Sequence, residues 1–326
     1  MTQLKATITT RIARDLEAVE TELKRQLNPY LDLVNQVAGH ILFCGGKRIR
    51  PLLMILSARI CDYSGDDDIT FSTMFEYLHT ATLLHDDIVD GATLRRGKPV
   101  ANTIWDPATV VLAGDFLLAR ALSIAAETGN PEVLRTVANI TEYMSQGEIH
   151  QLIRKMDIGL TESEYLEVIR NKTALLVAGA CRVGALIADA PKETVDALEA
   201  YGHHIGMAFQ MADDLLDYTS DTTVLGKKVG ADIREGKITL PLIIALKCAD
   251  SEDREFMEML LKEKNFSARN FQRLVTLLEN YGGIAYTRRA AADHIHDAKQ
   301  ALNGLKLSPT REILFDIADF VLSRKS

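Results

Sequence analysis

The stretch FSTMFEYLHTATLLHDDIVD, residues 71–90, decides how this chain is read. It is rich in apolar residues, holds neither Gly nor Pro, and ends in Asp86-Asp87-Ile88-Val89-Asp90. A second run, VDALEAYGHHIGMAFQMADDLLD at 195–217, ends the same way in Asp213-Asp214-Leu215-Leu216-Asp217. Both read as helices with an acidic C-terminal end. The first and fifth positions of each motif share a helical face, so Asp86 projects beside Asp90 and Asp213 beside Asp217. Carboxylates crowded there repel one another and oppose the helix dipole, so they call for positive charge. Hard oxygen ligands in this arrangement suit Mg²⁺, which keeps several waters and completes its shell with substrate phosphates. Two such clusters imply a cage that holds a diphosphate through several metal ions.

Outward from these motifs the chain reads as helix after helix. Ile12, Leu16, Val19 and Leu23 recur at amphipathic spacing, and Pro29 ends that run. Gly45-Gly46 opens a loop, with Pro51 suited to a first helical turn. Asp106-Pro107 predicts an N-cap and a helix to about Thr128; Pro131 predicts another to about Met156. Thr161-Glu162-Ser163-Glu164 has the capping-box form and predicts one helix to about Ala188. Pro191 precedes the helix of the second acidic motif. Residues 219–239 are polar, rich in Lys and Gly, and too long for an ordinary connection, which predicts a functional loop or lid. Helices resume at Pro241, with a break at Gly282-Gly283. No run alternates as a strand would, and no low-complexity linker divides residues 1–326. The expectation is one all-α domain.

Composition narrows the function classes. Among 326 residues there are 8 Pro and 20 Gly, and only 6% are aromatic, which fits helices better than sheet. A net charge of −8 argues against nucleic acid and anionic membranes as partners. No run is expected to span a bilayer, the best candidate, 174–190, being short and carrying Arg182. The start of the chain lacks a signal pattern, and Cys44, Cys61, Cys181 and Cys248 have no metal-ligand spacing. Reduced thiols in a cytoplasmic protein are the simplest account.

Cations near glycines are the other signal. Gly45-Gly46-Lys47-Arg48-Ile49-Arg50 sets three of them beside a loop where backbone can approach an anion. Arg95-Arg96-Gly97 follows the first acidic motif; Asn171-Lys172-Thr173 interrupts an apolar helix; Gly226-Lys227-Lys228 and Gly236-Lys237 punctuate the long loop. Arg offers a fork to diphosphate oxygens and Lys a point charge.

The ordered series Gly45-Gly46-Lys47-Arg48-Ile49-Arg50-Pro51, His79 to Asp90, Arg95-Arg96-Gly97, Lys172-Thr173, Gln210 to Asp217 and Gly236-Lys237 resembles the all-trans isoprenyl diphosphate synthases over nearly the whole chain. The likeness is to the long-chain polyprenyl type, exemplified by octaprenyl and solanesyl diphosphate synthases. It implies an isoprenoid synthase fold, about a dozen mostly antiparallel helices around a deep central cavity, and an isologous homodimer. It implies a head-to-tail prenyltransferase that condenses isopentenyl diphosphate onto an allylic diphosphate, farnesyl diphosphate being the expected primer. Asp86, Asp87, Asp90, Asp213, Asp214 and Asp217 are then expected to bind three Mg²⁺ ions. Arg95, Lys172, Lys227 and Lys237 are expected on the allylic diphosphate, and Lys47, Arg50, His79 and Arg96 on isopentenyl diphosphate. Thr173 and Gln210 are expected beside the reacting carbons. His85, next to Asp86, reads as a residue that packs or supports the neighbouring aspartates from behind, because no further His–Asp framework of a metal hydrolase accompanies it.

Product length is read one helical turn below Asp86. Ala81 and Thr82 stand where, by resemblance, an aromatic residue would stop growth early. Small residues there predict an all-trans product of about forty carbons, for a quinone side chain, with the floor set lower, on 106–128. The alternatives are a shorter-chain farnesyl or geranylgeranyl synthase, a terpene cyclase, and a catalytically silent partner subunit. The all-aspartate second motif and the isopentenyl-site cations speak against the cyclase, and intact motifs against the silent subunit.

Overall fold

The computed structural model describes residues 3–95, 97–219, 230–263 and 266–323. Capping and proline signals set most of the boundaries. Helix α1 (Gln3–Gln26) stops before Pro29 and is followed by α2 (Asp32–Leu42) and α3 (Ile49–Ile60), with Pro51 in its first turn. The 71–90 stretch forms α4 (Asp68–Val89), with Asp90 as its C-cap. Asp106 caps α5 (Pro107–Glu127) by accepting the Thr109 N–H, and Asn130 caps α6 (Pro131–Ile153) through the Glu132 N–H. The capping box of Thr161 and Glu164 opens α7 (Glu162–Ile169). Then come α8 (Leu175–Ile187) and the long α9 (Lys192–Thr219), which carries the second acidic motif. The chain closes with α10 (Ala231–Arg234), α11 (Leu240–Cys248), α12 (Ser251–Lys262), α13 (Ala268–Asn280), α14 (Gly283–Ala301) and α15 (Pro309–Ser323).

Four expectations are corrected. The helix expected from Thr161 to Ala188 is broken by a π-helical turn, Arg170–Ala174, which carries Lys172 and Thr173; such turns widen a helix by one residue and favour functional positions. A two-stranded antiparallel ribbon pairs Leu94 with Pro99 and Arg95 with Lys98, although no strand signal was visible in two-residue strands. The long polar stretch contains the short helix α10, while 220–229 with Lys227 lies outside the described residues, as does Arg96. Finally, α5 is 21 residues long and, with a mean hydropathy of 1.7, long and apolar enough to cross a bilayer. Its charged residues are Asp115, Arg120 and Glu127. Its Arg120 donates to the Gln26 carbonyl at 3.3 Å, and the helix packs along α4.

Three apolar clusters hold the helices. One runs through α1, α2, α4, α5 and α6, one through α7, the end of α9 and α10 to α14, and one through α3, α8, α9, α14 and α15. Val19 and Leu23 of the predicted α1 face are fully buried and Ile12 nearly so. The ends of the chain meet where Arg11 pairs with Glu312 and Asp316, both at 3.3 Å. Close helix approach depends on glycine at two points on α9. A Cβ on Gly202 would lie 2.7 Å from the Val177 carbonyl oxygen, and one on Gly206 would lie 2.5 Å from the Ala174 Cα. These contacts bring α9 onto the π turn, and so Gln210 onto Thr173.

Candidate active site

Both acidic motifs line one cavity of about 1490 Å³, larger than the usual small-ligand pocket. Asp86, Asp87 and Asp90 enter it from α4, and Asp213 and Asp214 from α9. Lys172, Thr173, Gln210, Arg95 and Lys237 also line it, so most of the residues picked from sequence converge.

The first trio is not bare. Asp87 is buried and accepts from the Arg95 guanidinium, whose Nε and Nη2 reach its Oδ1 at 3.0 and 2.7 Å. Asp90 accepts from Lys155 Nζ at 2.8 Å and from Lys237 Nζ at 3.1 Å. Asp86 lies 3.7 Å from Lys172 Nζ, which also pairs with Glu148 and donates to Gln151 Oε1 at 2.8 Å. Lysines and an arginine thus supply part of the positive charge that these carboxylates call for. Burial is costly to the Asp90 anion, yet the Lys237 and Lys155 ammonium groups hold its carboxyl below the ordinary range. Asp86 goes the other way, pushed up to about 6 by burial, with Glu148 and Asp90 adding repulsion that Lys172 only partly offsets.

In the second trio each carboxylate has a different environment. Asp213 is exposed on the cavity wall. Asp214 is buried, accepting from Tyr165 OH at 2.6 Å and from Gln210 Nε2 at 2.8 Å; burial pushes it up to about 7. Asp217 accepts from the backbone N–H groups of Ala231 and Asp232, at 3.2 and 3.0 Å, and so ties α9 to the start of α10. Thr173 Oγ1 donates to Gln210 Oε1 at 2.8 Å.

A smaller cavity of about 30 Å³ adjoins the first, with Leu83 and Arg95 in both walls. His79, Gly45 and Lys98 surround it. Of the three loop cations, Arg48 turns inward: it is buried and pairs with Glu76 at 2.5 Å and Glu20 at 2.6 Å, which makes it a structural residue. Lys47 lies over the Phe320 ring at 5.8 Å, and Arg50 is half-buried in the first turn of α3. His85 has the packing role expected of it, its Nε2 lying 3.1 Å from the Val111 carbonyl oxygen in a notch that a Cβ on Gly114 would fill. Ala81 is buried within the first apolar cluster, and Thr82 donates to the His79 carbonyl; neither is among the residues lining the large cavity.

Sequence reasoning missed several lining residues. Gln151 on α6, with Glu148 one turn earlier, and Lys155 in the turn just past the end of that helix form a polar run that was there to read. Asp232 sits against Asp217 and Asp214, and burial raises its carboxyl well above the ordinary value. Tyr165 gave no sequence signal.

The donor set fits a hard divalent cation. The described lining residues supply carboxylate oxygens and neither His nor Cys. Burial disfavours the Asp86 and Asp214 anions, a cost that a cation bound beside them would offset. Among the described residues no three His, Cys, Asp or Glu side chains already form a closed ligand set. Cations would bind between chain and substrate phosphates.

Comparison with known proteins agrees with this architecture. The polyprenyl synthetase family model matches residues 31–278. Octaprenyl diphosphate synthase of Escherichia coli K12 is 36% identical over 96% of each chain. A short chain isoprenyl diphosphate synthase of Methanothermobacter thermautotrophicus is 37% identical over 89% of this chain and 90% of its own. The crystal structure of a polyprenyl synthase from Caulobacter crescentus CB15, complexed with calcium and isoprenyl diphosphate, superposes with a TM-score of 0.92 at 38% identity, covering 98% of this chain and 97% of that one. The chain belongs to the polyprenyl synthetase family and has its all-α isoprenoid synthase fold. It is a prenyltransferase.

Proposed function

We propose that the chain is an Mg²⁺-dependent synthase that adds isopentenyl diphosphate units to an allylic primer, farnesyl diphosphate, and releases an all-trans product of about forty carbons. The observation that carries this reading is the convergence of both aspartate clusters and of Lys172, Lys237 and Arg95 on one large cavity. Asp86, Asp87, Asp90, Asp213, Asp214 and Asp217 would hold three Mg²⁺ ions, directly or through water. When bound, those ions supply Lewis-acid stabilisation of the departing diphosphate.

The chain's own groups do the rest. Lys172, Lys237, Arg95 and, outside the described residues, Lys227 orient the allylic diphosphate, the first three exchanging carboxylate for phosphate oxygens. His79, Lys47 and Arg50, with Arg96 outside the described residues, hold isopentenyl diphosphate. The allylic C–O bond breaks with its electron pair leaving on diphosphate. Thr173 and Gln210 turn dipoles toward the positive carbons, the isopentenyl double bond attacks, and the lost proton passes to the released diphosphate. No side-chain nucleophile takes part.

The assembly in this reading is a homodimer of single-domain chains. Exposed apolar side chains on the packed neighbours α5 and α6 support it, among them Leu112 at 65% and Ile153 at 73%. Four free cysteines fit a reducing cytoplasm, and a forty-carbon chain fits quinone side chains. The name of the E. coli relative supports the product length; the short-chain relative at similar identity makes product analysis the test. Purified protein given farnesyl and isopentenyl diphosphates should consume the latter and yield, after dephosphorylation, a polyprenol of about forty carbons by chromatography. A product of twenty carbons or fewer would support the short-chain alternative. Failure to consume isopentenyl diphosphate would refute the synthase reading.

A further inference from the structure

We propose that Tyr165 is a positioning residue that sets the polarity of the Thr173 hydroxyl through Asp214 and Gln210. The inference rests on the reading of this cavity as the site of allylic ionisation. Four side chains form one hydrogen-bonded series. Tyr165 OH donates to Asp214 Oδ2 at 2.6 Å, Gln210 Nε2 donates to Asp214 Oδ1 at 2.8 Å, and Thr173 Oγ1 donates to Gln210 Oε1 at 2.8 Å. Tyr165, Asp214 and Thr173 are buried, so bulk water does not compete freely for these bonds.

Direction is what matters here. Both oxygens of the Asp214 carboxyl accept, so both of its neighbours present hydrogens. Gln210 therefore gives its NH₂ to Asp214 and is left with its carbonyl oxygen facing Thr173. Thr173 must then donate to it. A hydroxyl has one hydrogen and two lone pairs; with the hydrogen committed to Gln210, the oxygen shows the cavity lone pairs alone. That face stabilises positive charge on the allylic carbons, whereas a hydroxyl hydrogen turned toward them would oppose it. Tyr165 completes the arrangement from the far side. Its donor satisfies Asp214 Oδ2 in a buried place, where an unpartnered oxygen is costly. Without it the carboxylate is free to rotate, and the Gln210 amide to turn over.

The competing account is packing, because the Tyr165 ring belongs to the second apolar cluster. Tyr165→Phe keeps the ring and removes only the hydroxyl. The expected result is a fall in kcat of about tenfold or more, the scale for loss of a hydrogen bond to a charged group. The KM for isopentenyl diphosphate should stay at the wild-type value, while the melting temperature falls by the few degrees that an unpartnered buried oxygen costs. The deciding readout is a double-mutant cycle with Thr173→Val. If Tyr165 acts through Thr173, the double variant turns over no more slowly than Thr173→Val alone. Multiplicative losses or wild-type kcat in Tyr165→Phe would each overturn the proposal. Wild-type turnover that persists in Asp213→Ala would instead strike at the site reading itself, and this inference would fall with it.

Discussion

At the residue scale, the six aspartates that look alike in sequence divide by environment. Asp87 and Asp90 are held by cations, Asp217 by backbone N–H groups, and Asp86 and Asp214 carry an uncompensated burial cost. The motif spacing made the clusters legible; the partners were not, because Lys155 and Tyr165 come from distant segments that only tertiary packing brings near. The Asp86 carboxyl, raised by burial to about 6 from 3.8, is protonated more readily in the folded chain than in the unfolded one. Its contribution to stability is therefore fully present below about pH 4 and is lost as pH rises through 6. In chelator, Asp86→Asn should be more stable than wild type at pH 7.5, and the margin should shrink as pH falls through 6 and vanish below about pH 4. Denaturant titrations across that range check this, and a pH-independent difference would contradict the burial argument. Lys237 bonds both Asp90 and Glu235, so its ammonium is fixed at the cavity wall. Lys237→Ala should raise the KM for the allylic substrate by roughly 10- to 100-fold, the equivalent of a charged hydrogen bond worth ~1.5–3 kcal/mol. The isopentenyl KM should stay near wild type, whereas Lys47→Ala should reverse the pattern. Steady-state kinetics with each substrate varied in turn decide between the two assignments.

Among elements, the π turn and the α4–α5 seam matter most. Pro, Gly and capping residues announced nearly every helix end, including Asp106, Asn130 and Thr161. The π turn escaped notice because nothing in the composition of Arg170–Ala174 sets it apart from its flanking helices; it lies where Ala174 packs closely against Gly206 of α9. The inward turn of Arg48 was equally hidden, since its partners Glu20 and Glu76 lie on other helices. Along the seam, Ala81 of α4 shares an apolar cluster with Ala113, Leu117 and Ala121 of α5. All four are buried and Ala81 lies outside the lining of the large cavity, so a tail that grows past Ala81 would have to part the two helices there. Ala81→Tyr should shorten the product sharply while leaving the ionisation step in place, at an overpacking cost of ~1–3 kcal/mol in stability. Chromatography of the dephosphorylated products checks it; an unchanged chain length would move the determinant elsewhere.

For the whole molecule, the all-α architecture followed from composition and helix signals, whereas a surface for the proposed second copy did not. The apolar character of α5 was legible in residues 107–127 themselves, a longer apolar run than the 174–190 candidate; what packing against α4 added is which of its faces stays exposed. If that face joins α6 in a dimer interface, Leu112→Asp with Ile153→Glu should shift sedimentation from dimer to monomer; a wild-type monomer would refute the assembly. The central claim is that two aspartate clusters on α4 and α9 act together, with divalent metal, on one diphosphate. Turnover of farnesyl and isopentenyl diphosphates by wild type, Asp86→Ala and Asp213→Ala, each with Mg²⁺ and with excess chelator, tests it most directly. The account predicts wild-type activity in Mg²⁺ alone and losses of orders of magnitude in chelator or in either variant, with helical content unchanged. Full turnover by either variant, or by wild type in chelator, would contradict it.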